Sequence, residues 1–177
     1  MATVDQPNAG GADLVVQSTA LSEGTGFYQF QIQGDSFRIQ KLTVPYLFQS
    51  NCLVFQCPPS QKIPTHTHLE KQKNDTLENQ LANAFVHRWL NGFEPRLMSD
   101  WADYLARSGR ESLFGRDVRN AFSAVEGVVG VKGCGAGMND VFLVAMDQAN
   151  PHQTLKGVHR VAELHDLKLL GGLHECI

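Results

Sequence analysis

Between Val128 and Asp147 the chain reads VVGVKGCGAGMNDVFLVAMD. Gly133, Gly135 and Gly137 alternate with Cys134 and Ala136, and an apolar, strand-like run lies on each side. One glycine in a tight turn supplies a positive φ that other residues resist. Three, with only small residues between them, mean that something comes close to the backbone, either a ligand or another segment of the chain. Successive amide N–H groups in such a turn form a concavity that holds anions, although a cramped hairpin asks for the same residues. Lys132 beside the turn carries the charge to neutralise a phosphate or carboxylate there, or to make a structural ion pair.

Other residues have weaker claims to chemistry. His66 and His68, two apart on an extended segment, point the same way and are able to share a metal. No third ligand accompanies them, so the polar-loop reading is preferred and no metal site is assigned. Asp100 and Asp103, three apart on a helical segment, make either an acid/base pair or a solvated face. His152, His159, His165 and His174 are read as surface or satisfied core residues rather than as ligands. The four cysteines, Cys52, Cys57, Cys134 and Cys176, form no CxxC pair, which suits reduced thiols used as small apolar fillers.

The chain has 177 residues, 42% of them hydrophobic, and a net charge of −3. That is one domain or a little more, with enough apolar material for a core. No Lys/Arg run marks a nucleic-acid surface. No apolar stretch reaches the roughly 18 residues of a membrane span. The first residues, MATVDQPNAGG, lack the basic and apolar regions of a secretory signal, which makes the cytoplasm the default compartment.

The elements that must position the turn follow from periodicity. Residues 1–11 read as a mobile leader or stub. Apolar residues at period two from Phe27 to Leu42, split by Gly34-Asp35, predict a β-hairpin. Asn51 to Gln56 predicts a strand stopped by Pro58-Pro59. Helical spacing predicts helices over 76–90, 95–107 and 117–125. The inward faces are Leu77, Leu81, Ala84, Phe85 and Trp89, then Leu97, Trp101, Tyr104 and Leu105, then Val118, Phe122 and Val125. Strands follow at 128–133 and 140–146, a helix from Pro151 to Leu164, and a last strand at 167–173. After residue 50 this order is the split βαβ of a ferredoxin-like domain. The expected fold is therefore α+β: an antiparallel ferredoxin-like sheet with helices on one face, preceded by a β-hairpin.

At this point the residues resemble a known family. AFSAVEGVVGVKGCGAGMNDVFLV (121–144) is similar to the last conserved motif of the GHMP small-molecule kinases, with Gly135-Ala136-Gly137 as the turn. Cys134 stands where a hydroxyl residue is usual, and Met138-Asn139-Asp140 replaces the usual residues after it. CLVFQCPPSQKIPTHTH (52–68) resembles the strand and Pro/Thr loop that open the C-terminal lobe of these kinases, with Lys62, Pro64 and Thr67 matching the mevalonate-kinase pattern. GGADLVVQS (10–18) resembles the segment that carries the catalytic aspartate. The resemblance implies Asp13 as general base, with Asp5 as the alternative register. It implies Lys62, Thr65, Thr67, Lys132, Gly133, Gly135, Ala136 and Gly137 as substrate- and phosphate-binding residues. It further implies that residues 12–50 are a remnant of an N-terminal lobe and that 51–177 form the C-terminal-type domain.

The implied activity is transfer of the γ-phosphoryl of Mg-ATP to a small alcohol of the mevalonate type, with an N-terminal kinase lobe as partner. Nothing here resembles the loop on which such kinases hold ATP phosphates, where backbone N–H groups at a helix N-terminus face the anion. The expectation is that the chain by itself is inactive. The alternative is a non-catalytic module that binds a small ligand or self-associates, since a fold alone does not fix function.

Overall fold

The computed structural model describes residues 27–33, 36–42, 51–63, 84–85, 87–88, 94–147 and 149–172. The chain divides into two units, one holding a hairpin and the other a four-stranded sheet. In the hairpin, β1 (Phe27–Gln33) pairs antiparallel with β2 (Ser36–Leu42), in a register that sets Gln33 opposite Ser36. That is the two-residue connection expected from Gly34-Asp35.

The larger unit runs β3 (Cys52–Gln56), α1 (Arg96–Arg107), α2 (Leu113–Ser123), β4 (Val128–Cys134), β5 (Val141–Met146), α3 (Pro151–Leu164) and β6 (Lys168–Gly172). Its sheet order is β4-β5-β3-β6, every neighbouring pair antiparallel. The two strands joined through α1 and α2 are thus separated by a third, which is the ferredoxin-like arrangement. Of the expected helix at 76–90, the described residues 84, 85, 87 and 88 are helical.

Strand alternation sorts the sheet residues onto two faces. Leu53 opposes Val144, and Val144 opposes Val131; in the next row Phe55 opposes Phe142, and Phe142 opposes Gly133. These rows meet Val118 and Phe122 of α2 and Val158 and Ala162 of α3 in one buried cluster. The Phe122 ring lies 5.3 Å from that of Phe55 and 6.2 Å from that of Phe142. Its truncation to alanine would cost about 3–5 kcal/mol. Thr154 ties α3 to the approach of β4 by donating its hydroxyl to Glu126 O at 3.0 Å.

Two helices differ from the expectation. The helix α2 begins at Leu113 rather than 117 because Ser112 caps it: its Oγ accepts from Gly115 N–H at 2.8 Å. An N-cap hydroxyl of this kind satisfies an orphan donor of the first turn. In α1 the buried residues are Leu97, Met98 and Ala102, while Trp101, Tyr104 and Leu105 are half-buried. The expected inward stripe is displaced because α1 packs on β4, and Trp101 and Tyr104 stack with Phe85, at 5.2 and 6.0 Å, to one side. Val131 N–H, on the outer edge of β4, donates to Ser99 Oγ at 3.2 Å, so α1 supplies an acceptor to an edge that would otherwise face solvent.

Candidate functional site

The glycine turn joins β4 to β5 at one end of the sheet, and three segments converge on it. The first is the turn itself, Ala136–Met138, whose last two residues are left-handed rather than helical. Gly135 has φ 83° and ψ −176°, Gly137 has φ 64°, and Met138 follows at φ 62°. The Gly135 conformation is one that residues with a Cβ essentially never adopt. Met138 N–H donates to Gly135 O at 3.1 Å, and Asp140 N–H to Cys134 O at 2.9 Å, which closes the hairpin.

The second segment is the exit from β3. Cys57 N–H donates to Asp140 O at 3.0 Å, which carries the pairing one residue beyond the strand. A 3-10 turn at Pro59–Gln61 then brings Lys62 and Ile63 to the glycines. The third is the start of α2, where Ser112 N–H donates to Gly137 O at 3.1 Å. Asn139 joins all three: its Oδ1 accepts from Ser112 Oγ, and its Nδ2 donates to Gln61 O at 2.8 Å. It is buried, 2% exposed, with both ends of its amide satisfied.

Of the two occupants that the sequence leaves open for the glycines, the chain itself lies against them. A Cβ on Gly133 would meet the Met138 carbonyl and stand 2.6 Å from Met138 Cβ. One on Gly135 would meet the Asp140 carboxylate and stand 2.6 Å from its Cβ, and one on Gly137 would stand 2.5 Å from Ile63 Cδ1. Real Cβ contacts do not come this close, so a side chain at Gly133 or Gly135 would collide with the hairpin's own atoms, whereas one at Gly137 would displace the end of the Ile63 side chain.

Charges surround the turn unevenly. Lys62 is exposed. Burial pushes the Cys57 thiol up to about 12, with the Asp140 charge adding to the shift and the Lys62 charge opposing it. The Cys52 thiol is likewise pushed up to about 12, chiefly by burial. Lys132 alternates with Val131 and Gly133, so it leaves the sheet on the face opposite the α2–α3 core. Its Nζ lies 3.1 Å from Cys134 Sγ and 3.4 Å from Gly133 O.

Lys62, Lys132, Gly133, Gly135, Ala136 and Gly137 therefore share one end of the sheet. Asp13, Asp5, Thr65, Thr67, His66, His68 and Cys176 lie outside the described residues. Among the described residues no group of three His, Cys, Asp or Glu side chains is arranged to hold a metal ion, and no helix is long and apolar enough to cross a membrane. Asp100 and Asp103 each face a different arginine: Asp100 lies 3.8 Å from Arg88, and Asp103 accepts from Arg119 Nη1 at 2.8 Å.

Arg119 is a residue that sequence reasoning missed. Its Nε and Nη2 donate to the two oxygens of Glu111 at 2.7 and 3.1 Å. The Glu111 side chain is fully buried. The hydrogen bond to Glu111 is the leading cause that raises the guanidinium above its ordinary range. This fork holds the residue just before the α2 cap and so steadies one wall of the turn. Compared with known proteins, the chain matches no family, no curated protein and no solved structure.

Proposed function

We propose that this chain is the C-terminal-type lobe of a small-molecule kinase-like protein, whose part is to present the glycine turn and the Lys62 loop to a small alcohol. One observation carries the reading. The stretches on which the kinase resemblance rests, 52–68 and 121–144, are far apart in sequence, yet Gln61 and Ile63 of the first touch Asn139 and Gly137 of the second. In the whole kinase-like protein, Mg-ATP would supply the phosphoryl group and Asp13 would take the proton of the alcohol. Lys62, Thr65, Thr67 and Lys132 would answer the charge of substrate and phosphate, and an N-terminal lobe would hold the ATP phosphates. Phosphoryl transfer depends on such positioning and charge neutralisation, so the lone chain is expected to release no ADP.

A specific observation favours a second reading, that of a non-catalytic binding or self-association module. Met138, Asp140 and Ile63 lie where Cβ atoms on the glycines would be, so the chain's own packing accounts for the absent side chains without a ligand.

Amide NMR on the isotope-labelled chain distinguishes the two. Mevalonate, phosphomevalonate, homoserine and galactose are titrated to about 10 mM, enough to detect a binding free energy near −4 kcal/mol. The kinase-lobe reading expects shifts concentrated at Lys62 and Gly133–Gly137 with at least one alcohol or its phosphate. Silence at the turn for every compound removes that reading. ADP release that is lost in Asp13→Asn would overturn the expectation of inactivity.

A further inference from the structure

Lys132 and Cys134 stand two apart on β4, so both side chains leave the same face of the sheet. Lys132 Nζ is 3.1 Å from Cys134 Sγ, and both residues are half-exposed. The other described thiols differ in kind: Cys52 is 0% exposed and Cys57 2%. Their protons are held to about pH 12, and a protonated, buried thiol is inert. Among the described residues, Cys134 is thus the thiol that a small oxidant reaches, and an amine already lies against it.

We propose that Lys132 and Cys134 form a reversible, oxidation-dependent sulfur–nitrogen crosslink at the edge of the glycine turn, with a hydroperoxide as oxidant. In the first step the Cys134 sulfur attacks the peroxide. An S–O bond forms, the O–O bond breaks, sulfur gives up two electrons, and one water leaves with the thiol proton, producing a sulfenic acid. In the second step the unprotonated Lys132 amine donates its electron pair to sulfur. The S–N bond forms as the S–O bond breaks, and the departing hydroxide takes a proton from nitrogen as a second water. The sum is thiol, amine and hydrogen peroxide giving S–N and two waters. An external dithiol reverses it by attacking the sulfur and returning the amine. Starting from the ammonium form, Lys132 first releases one proton to solvent, so the crosslink removes its charge and pins the end of β4 where it enters the turn. The inference stands on this pair alone and is independent of the kinase reading.

The test uses the full chain, treated with hydrogen peroxide and mapped by trypsin and mass spectrometry without reductant. The expected product has lost about 2 Da, two hydrogens, relative to the thiol form. Cleavage after Lys132 is lost, Lys132 and Cys134 are joined within one peptide, and dithiothreitol restores both mass and cleavage. K132R, which keeps the positive charge, is expected to abolish the product and to accumulate a dimedone-trappable sulfenic acid at Cys134; C134S is expected to form neither. Circular dichroism checks that both variants are folded. Any of four results overturns the proposal: a dimedone adduct at Cys134 with cleavage after Lys132 intact, the same mass loss persisting in K132R, a loss that maps to a disulfide, or a folded chain whose Cys134 resists the oxidant.

Discussion

If the chain itself requires the glycines, then Gly135→Ala must be costly with no ligand present. Two effects act on that variant. The backbone holds φ at 83° with ψ at −176°, a conformation whose enforcement on alanine costs about 1–3 kcal/mol. The new Cβ also runs into Asp140, whose own Cβ would be 2.6 Å away, and overpacking of this kind costs about 1–3 kcal/mol. The expected total is about 2–6 kcal/mol, a large part of the stability of an ordinary domain. Asp140→Gly removes the three nearest crowding atoms while leaving the backbone problem. In the double variant Gly135→Ala with Asp140→Gly, about 1–3 kcal/mol should therefore return as a coupling energy. Urea unfolding followed by tryptophan fluorescence gives the four corners of the cycle, provided the slope stays constant across them. A Gly135→Ala midpoint within about 0.5 kcal/mol of the parent chain, or additive single effects, would refute the reasoning. The turn would then be open enough to take a Cβ, and the case for a ligand at the backbone would strengthen.

The same unfolding assay reaches two other features. Among the described residues, Glu111→Ala leaves the buried Arg119 guanidinium with Asp103, whose side chain is 53% exposed, as its partner; breaking a buried pair in this way costs about 3–5 kcal/mol, whereas Asp103→Ala is expected to cost no more than about 1 kcal/mol. Equal effects would show that the fork is not the anchor of the network. The cysteines set an alkaline limit: Cys52 and Cys57 keep their protons in the native chain up to about pH 12, against an ordinary value of 9.0. Between those two values the unfolded chain binds fewer protons than the native one, so stability falls as pH rises. Each thiol contributes about 1.4 kcal/mol per pH unit within that window. Unfolding at pH 7, 9 and 10 should show a steeper alkaline loss in the parent than in Cys52→Ala with Cys57→Ala, and parallel curves would count against the burial argument.

The fold was legible where the chain alternates or repeats on a single scale. Phe27 to Leu42 reads as a hairpin because period two continues through both arms, and the pairing of Gln33 with Ser36 agrees with a turn at Gly34-Asp35. The strand order after residue 50 followed from element order and connection rules alone, and it matches the observed β4-β5-β3-β6 sheet. Boundaries failed where a cap, rather than periodicity, defines the end. Leu113 is 82% exposed, so the first turn of α2 adds nothing to the apolar stripe, and only the Ser112 cap marks it. The Glu111–Arg119 fork failed for another reason. Its acid lies before the helix and its base within it, and a charged pair contributes nothing to a hydrophobic period.

The site divides along the same line. That the turn was crowded could be read from Gly133, Gly135 and Gly137, because only a close neighbour demands three residues without a Cβ. Which neighbour could not be read. Asp140 and Met138 are local, but their direction depends on the left-handed backbone at Gly137 and Met138. Ile63 reaches Gly137 only because the Cys57 N–H bond to Asp140 O and the Asn139 bond to Gln61 O bring the exit of β3 to the hairpin. These are contacts of long sequence separation, made by single polar atoms with no periodic signature. Asn139 is the extreme case, buried and satisfied at both ends of its amide by partners that a local reading of MND has no means to supply. Replacing it by leucine would keep the branched heavy-atom outline, with bulkier methyl groups, while leaving Gln61 O without that donor and Ser112 Oγ without that acceptor. A group stranded in this way costs about 1–3 kcal/mol. If the turn owes its shape to that amide, the loss should appear in Gly137 and Ile63 first, as amide exchange faster than in the α2–α3 core.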